Sequence, residues 1–243
     1  MTDNLDLVGR AAMEHLSLKH AARERALPKS RAAIRYCANS IRATHRQEFR
    51  VAEELASQAY ALLVEMSNDL RDYQDVFYAG FVQDAQKEYA EAVTFAALVQ
   101  HRPLPTASEL SIGWAAYLNG LGETVGELRR HLLDQLRHIT IESESESVVP
   151  RFIVGNSDND QLRHGTIESC ESLLDHMDDI YALLTTIDFP DAVTSGLRRT
   201  TDAARGVLEK TRGDLTTAVG QAQLQQTMRA LQQELHHPLP PIA

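Results

Sequence analysis

Four glutamates carry the strongest chemical signal in this chain of 243 residues: Glu88 with Glu91, and Glu123 with Glu127. Glu88 and Glu91 lie in EYAEAVTFAALV, residues 88–99, which is apolar nearly all round a helix apart from these two acids. A helix of that composition is buried, and buried carboxylates are costly unless paired, protonated or bound to a metal. As i,i+3 neighbours they can reach one point. Glu123 and Glu127 are i,i+4 neighbours in LGETVGELRR, with Leu118, Leu121, Leu128 and Leu132 on a different face. Their spacing alone fits a solvated face equally well. Gly113, Gly120, Gly122 and Gly126 crowd the same segment, each at a typical cost of about 1 kcal/mol relative to alanine in a helix. Small residues beside the glutamates would let another helix, or a ligand, approach the backbone closely. Two carboxylate pairs on adjacent helices could then converge.

A convergent set of hard oxygen ligands suits Mg²⁺ or Mn²⁺ rather than zinc or copper. Such ions activate water and stabilise a leaving oxygen in phosphodiester cleavage. A di-iron site would need two Glu-x-x-His motifs, and the sequence holds only Glu234–His237, just before Pro238. Phosphate-loop, dinucleotide and HExxH patterns are absent, as are serine and cysteine nucleophile signatures. Asp84 reads either as an extra acid for the site or as a surface ion-pair partner. His131, one turn after Glu127, could contact the site but reads first as an ordinary partly exposed histidine, and Trp114 reads as a core residue beside the leucines. Cys37 and Cys170 form no CxxC pattern, so neither zinc nor a disulfide framework is indicated; Cys37 shares a helical face with Ile34 and Ile41 and reads as buried.

The elements that must hold these residues are helical throughout. The spacing predicts helices over about 3–22, 30–65, 68–100, 106–138, 166–186 and 191–235. Breaks fall at Leu27-Pro28-Lys29-Ser30, at the prolines of HRPLP (101–105) and at Asp188-Phe189-Pro190. Thr106 to Glu109 reads as a capping box opening the fourth helix. Residues 140–164 read as a loop, with the acidic run Glu142–Ser147 solvated and Phe152–Asn156 a locally packed turn; residues 236–243 read as a frayed tail. One all-α domain over 1–243 is expected, with its core over about 15–235.

Charge is uneven along the chain. Residues 1–50 carry 10 Lys+Arg against 5 Asp+Glu, whereas the whole protein has a net charge of −10. Arg31, Arg35, Arg42, Arg46 and Arg50 fall within an arc of roughly 100° on one predicted helix. Such a stripe could track a phosphate backbone, or it could be a solvated face pairing with acids on neighbouring helices or subunits. No aromatic residues interleave with it, so base-specific readout is not supported. Hydrophobic content of 43% and charged content of 24% suit a folded soluble protein. No apolar run approaches the roughly 18–20 residues that span a bilayer, and MTDNLDLVGR has no signal-peptide pattern. A cytoplasmic protein without a membrane partner is expected.

With these residues in view, a family resemblance emerges. Lys87-Glu88-Tyr89-Ala90-Glu91-Ala92-Val93-Thr94-Phe95 resembles the EYVEAVSF signature of the translin and translin-associated factor X family. Leu118 to Arg130, LNGLGETVGELRR, resembles the family's second signature, GxxDLxGELxR. The resemblance covers about residues 15–235, with 140–164 poorly matched, and favours a prokaryotic, archaeal-type member of the factor X branch. It implies a protomer of about seven helices that forms a hollow, usually octameric, homo-oligomeric shell. It also implies a metal-dependent endoribonuclease that binds single-stranded RNA, and in translin-like members single-stranded DNA, and cleaves RNA by attack of metal-activated water. Position by position, Glu88, Glu91 and Glu127 match family acids and would be catalytic ligands of Mg²⁺ or Mn²⁺. Glu123 would be the fourth, standing where the family commonly has aspartate. Arg31, Arg35, Arg42 and Arg46 are backbone-contact candidates by charge alone. Two other readings stay open: a nucleic-acid-binding shell without catalysis, and a structural helical oligomer whose glutamates form inter-subunit ion pairs.

Overall fold

A computed structural model describes residues 2–145 and 156–235. The described residues form eight helices and no strand: α1 (Thr2–His45), α2 (Phe49–Asp69), α3 (Gln74–Phe77), α4 (Gly80–Val99), α5 (Trp114–Ser145), α6 (Asn156–Thr185), α7 (Asp191–Thr194) and α8 (Leu197–Leu235). The all-α expectation holds, with six long helices and two of a single turn. No helix among the described residues is long and apolar enough to cross a membrane.

Side-chain pairings fix how the helices run. Ser40 donates to the Ala52 carbonyl while Lys29 meets Asp69, so α2 turns back along α1. Ser30 donates to the Phe81 carbonyl and His45 lies on Phe95, so α4 runs in the direction of α1. Gly113 meets Gln86 and Thr124 meets Thr94, so α5 in turn runs with α4. Parallel neighbours cannot be joined by a tight turn, and residues 100–113 make the return. The α6 helix runs against α5, with Cys170 beside Leu132 and Leu184 beside Gly122. The α8 helix runs with α5, Thr200 meeting Asn119 and Arg129 meeting Asp214. The core lies between these helices and includes Phe95, Leu121, Leu128, Leu132, Met177 and Leu208, each at most 1% exposed.

Several boundaries differ from the sequence reading. The α1 helix passes through Pro28 without stopping. A proline inside a helix forfeits one backbone bond at a cost of about 3 kcal/mol, and here packing overrides it. Ala22, Ala26 and Ser30 are buried, and Arg25 and Lys29 both bind Asp69. The break comes instead at Arg46–Glu48, where Gln47 adopts a φ of 60°. No glycine or proline marks that turn. The capping box at Thr106 and Glu109 forms reciprocally: the Thr106 amide donates to Glu109 Oε2 at 2.7 Å, and the Glu109 amide to Thr106 Oγ1 at 3.3 Å. It closes only a local turn, which ends at Ser111 with a φ of 55°, and α5 begins later, at Trp114. That position also explains why Trp114 is 60% exposed rather than core: it opens its helix outside the bundle, edge-on to Tyr117. Helix continues further than expected around the acidic run, α5 reaching Ser145 and α6 starting at Asn156. The rest of that run, nearly all of the expected Phe152 turn, and the expected frayed tail lie outside the described residues.

Candidate active site

The α4 helix is buried over most of its surface, as its composition requires. Twelve of its 20 residues are buried, Glu91 among them. Its partner α5 comes unusually close. A Cβ on Gly120 would sit 2.4 Å from the Lys87 carbonyl oxygen and 2.7 Å from Ala90 Cβ, so glycine at 120 is what lets the two backbones meet beside the glutamates. Thr94 and Thr124 hydrogen-bond across the same seam at 2.7 Å, both fully buried. The α8 side is equally tight, because a Cβ on Gly122 would lie 2.5 Å from Thr200 Cγ2. Gly126 faces open space and Gly113 makes only ordinary contacts, so two of the four glycines serve close approach.

This seam brings Glu88, Glu91 and Glu123 together, with one carboxylate oxygen from each within 4.8 Å of the others. Burial pushes the Glu91 carboxyl up to about 8, and the charges of Glu88, Glu123 and Glu127 push the same way. Glu88 is also raised, first by burial, against a lowering by Lys87. Glu91 is therefore largely protonated at neutral pH unless a cation joins the group. Three carboxylates converging with too little compensating charge are a donor set that fits a hard divalent cation. The Cys37 thiol, buried beneath, is pushed up to about 12 by desolvation and then by the charges of Glu88 and Glu91.

Glu127 stands apart from the three. Its Oε2 lies 2.5 Å from His45 Nε2, and Arg130 approaches at 3.9 Å. The hydrogen bond from His45 holds this carboxyl below the usual range in spite of burial. His45 ends α1, packed between Phe95 and the ring of His131, and its Nδ1 has no hydrogen-bond partner among the described residues. His131 is buried rather than partly exposed, bonds Gln135 at 3.1 Å, and is held below its usual pKa by desolvation first. Glu127 still acts on the cluster electrostatically, raising both Glu88 and Glu91.

Two functional candidates escaped sequence reasoning. Lys87 reaches from α4 to Glu123 Oε1 at 2.7 Å and to Glu88 at 3.8 Å. Burial works against its charge, but the bond to Glu123 and the acids around it prevail and raise its pKa. It is the cluster's internal cation, and only its place next to Glu88 in the sequence hinted at this. His45 carried no signal at all, because its pairing with Glu127 exists only once α1 lies on α5. Asp84 is exposed and contributes charge to Glu88 and Lys87 without joining the three carboxylates.

The arginine stripe is shorter than the sequence implied. Arg31, Arg35 and Arg42 project from α1 and are exposed. Arg31 and Arg35 make no ion pair among the described residues, and Arg42 bonds Asn39 at 2.9 Å. Arg46 lies just past the end of α1 and pairs with Glu48, and Arg50 belongs to α2, where it pairs with Glu54. The turn at Gln47 thus cuts the predicted single stripe.

No protein-family model matches the chain. An uncharacterized protein of Methanocaldococcus jannaschii is 26% identical over 221 residues, which cover 90% of this chain and 86% of that protein. Among solved structures, a complex of AfC3PO with duplex RNA superposes with a TM-score of 0.69 at 29% identity, covering 86% of this chain and 95% of that one. A crystal structure of AfC3PO alone gives 0.68 at 29% identity over the same shares. Apo-NeC3PO, at 16% identity and a TM-score of 0.65, shares the fold over 87% of this chain and 96% of its own. The two glutamate-bearing segments, the helical architecture and these neighbours agree in supporting a likeness to translin-family C3PO proteins.

Proposed function

We propose that the protein is a metal-dependent endoribonuclease whose Glu88, Glu91 and Glu123 hold one Mg²⁺ or Mn²⁺. The observation that carries this reading is the meeting of three carboxylates within 4.8 Å, one of them buried and raised to about 8. When bound, the ion would supply an activated water and stabilise the leaving oxygen of an RNA phosphodiester. Glu91 is positioned to hold a proton on its carboxyl when no cation is present. His45 holds Glu127 ionised at the edge of the cluster, and Lys87 holds Glu123 in place from the other side. Similarity to a protein solved in complex with duplex RNA supports RNA as the ligand class.

Arg31, Arg35 and Arg42 are the cations best placed to meet the RNA backbone. Replacing Arg35 and Arg42 together by glutamate should weaken RNA binding, and should flatten the log–log salt dependence by about 1.4 for two lost single-strand contacts. A filter-binding series across salt concentrations reads both; unchanged affinity would reject the stripe.

Assembly into a homo-oligomer has its own support. Every described side chain from Asn4 to Leu18 is exposed, including Leu5, Val8, Met13 and Leu16 at 56–71%. Soluble monomers rarely leave so much contiguous apolar surface open. Leu5→Glu with Leu16→Glu should lower the mass seen by light scattering, and an unchanged mass would count against this face.

A second reading, an RNA-binding shell without catalysis, is favoured by Lys87, which already supplies a cation to Glu123. Labelled single-stranded and duplex RNA, incubated with Mg²⁺, Mn²⁺ or EDTA, separates the two. Cleavage that needs the ion and disappears in Glu123→Ala is expected. Binding without cleavage would favour the shell, and cleavage that survives EDTA would sink the metal site.

A further inference from the structure

A cavity of about 390 Å³ opens beside the carboxylates, and two of its lining residues, Lys87 and Glu123, also belong to the cluster. Whatever fills it therefore meets Glu123, one of the three carboxylates that would hold the metal. Its volume falls in the range of small-ligand sites, about 300–1,000 Å³. The far wall is the joint between α7 and α8, where Ser195 and Gly196 take φ values of 54° and 83° and turn the chain sharply. That wall is fixed in place. Thr200 Oγ1 donates to Asn119 Oδ1 at 2.6 Å, and Asn119 Nδ2 donates to the Thr194 carbonyl at 2.8 Å. Close packing of Gly122 on Thr200 adds a second bolt between α5 and α8.

Asp84, Lys87 and Glu123 bring charge to the cavity from α4 and α5, and Arg199 brings it from α8. Lys87 is committed to Glu123, whereas Arg199 on the far wall makes no ion pair among the described residues; its neighbour Arg198 turns to Asp188. Ala115 and Ala116 on α5 also line the cavity and bring little bulk into it. An uncommitted guanidinium that shares a cavity lined by alanines with one of the three carboxylates matches a phosphate with an attached sugar and base better than a bare anion. Guanidinium–phosphate pairing is strong and geometrically selective.

We propose that this cavity is a subsite for one nucleotide of the RNA strand, next to the phosphodiester at the carboxylates, with Arg199 on that nucleotide's own phosphate. The assignment rests on the RNA-cleaving reading above, but its test does not need the metal. Calorimetric titration of the full chain with adenosine 5′-monophosphate, in EDTA, should show binding that adenosine and inorganic phosphate each match only weakly. Arg199→Ala should weaken that binding about tenfold or more, and Ala115→Leu should block it by filling the cavity. In RNA cleavage, Arg199→Ala should raise KM and leave kcat nearly unchanged. Nucleotide binding that is absent, that is indifferent to both variants, or that inorganic phosphate equals would overturn the subsite. If the nucleotide binds as expected but no metal-dependent cleavage is found, the subsite stands and the nuclease reading falls. If cleavage is found and the nucleotide does not bind, the reverse holds.

Discussion

Glu91→Gln should abolish Mg²⁺-dependent RNA cleavage while making the metal-free protein more stable. Loss of even an outer partner at a metal site costs about 10–100-fold, so removal of a buried ligand should cost at least the upper end of that range. The stability gain follows from proton linkage. Glu91 has a native pKa of about 8 against 4.5 for an unperturbed glutamate. Between those values the folded chain keeps a proton that the unfolded chain has lost, so stability falls as pH rises and levels off above about 8. With about 1.36 kcal/mol for each pH unit between the two values, the effect is of the order of a few kcal/mol. Glutamine mimics the protonated acid and escapes the loss. Urea denaturation in EDTA should therefore show the variant gaining on the wild type from pH 5 to pH 8, with saturating Mg²⁺ narrowing the gap. A variant less stable than wild type at pH 8 would mean that Glu91 is held by a favourable native partner, contrary to the geometry.

Gly120→Ala should be the most damaging small substitution in the seam. Its new methyl would meet the Lys87 carbonyl at 2.4 Å, and a backbone atom on a packed helix cannot rotate aside. Overpacking of this kind costs about 1–3 kcal/mol, more than the gain of about 1 kcal/mol that alanine brings to a helix interior. To make room, α5 must move away from α4, which draws Glu123 from Glu88 and Glu91. Thermal unfolding should show a lower Tm, and Mn²⁺ affinity should fall with it. Gly126→Ala is the matched control. Nothing lies within 4 Å of its Cβ position, so it should be neutral or stabilising by up to about 1 kcal/mol and should keep metal affinity.

What the sequence could reveal depended on whether the signal was local. The α4 helix was legible because two acids in an apolar run are improbable without a purpose, and Glu91 is indeed buried. Glu123 was legible through its motif, and Gly120 through the cost of glycine in a helix. Pro28 misled because its local penalty is smaller than the tertiary contacts on either side of it. The turn at Gln47 left no mark because an ordinary residue adopts the left-handed conformation there. The capping box formed and yet began no long helix, since hydrogen bonds of a cap do not decide how far a helix runs. Lys87 and His45 were opaque for a shared reason: their partners come from helices far apart in sequence.

Whether Glu88, Glu91 and Glu123 hold a metal is decided by titrating the metal-free protein with Mn²⁺ and following the free ion by electron paramagnetic resonance. One bound ion per chain is expected, lost in Glu91→Gln and in Glu123→Gln and displaced by Mg²⁺. Absence of bound Mn²⁺ in the wild type, or binding that both variants leave unchanged, would contradict the metal site.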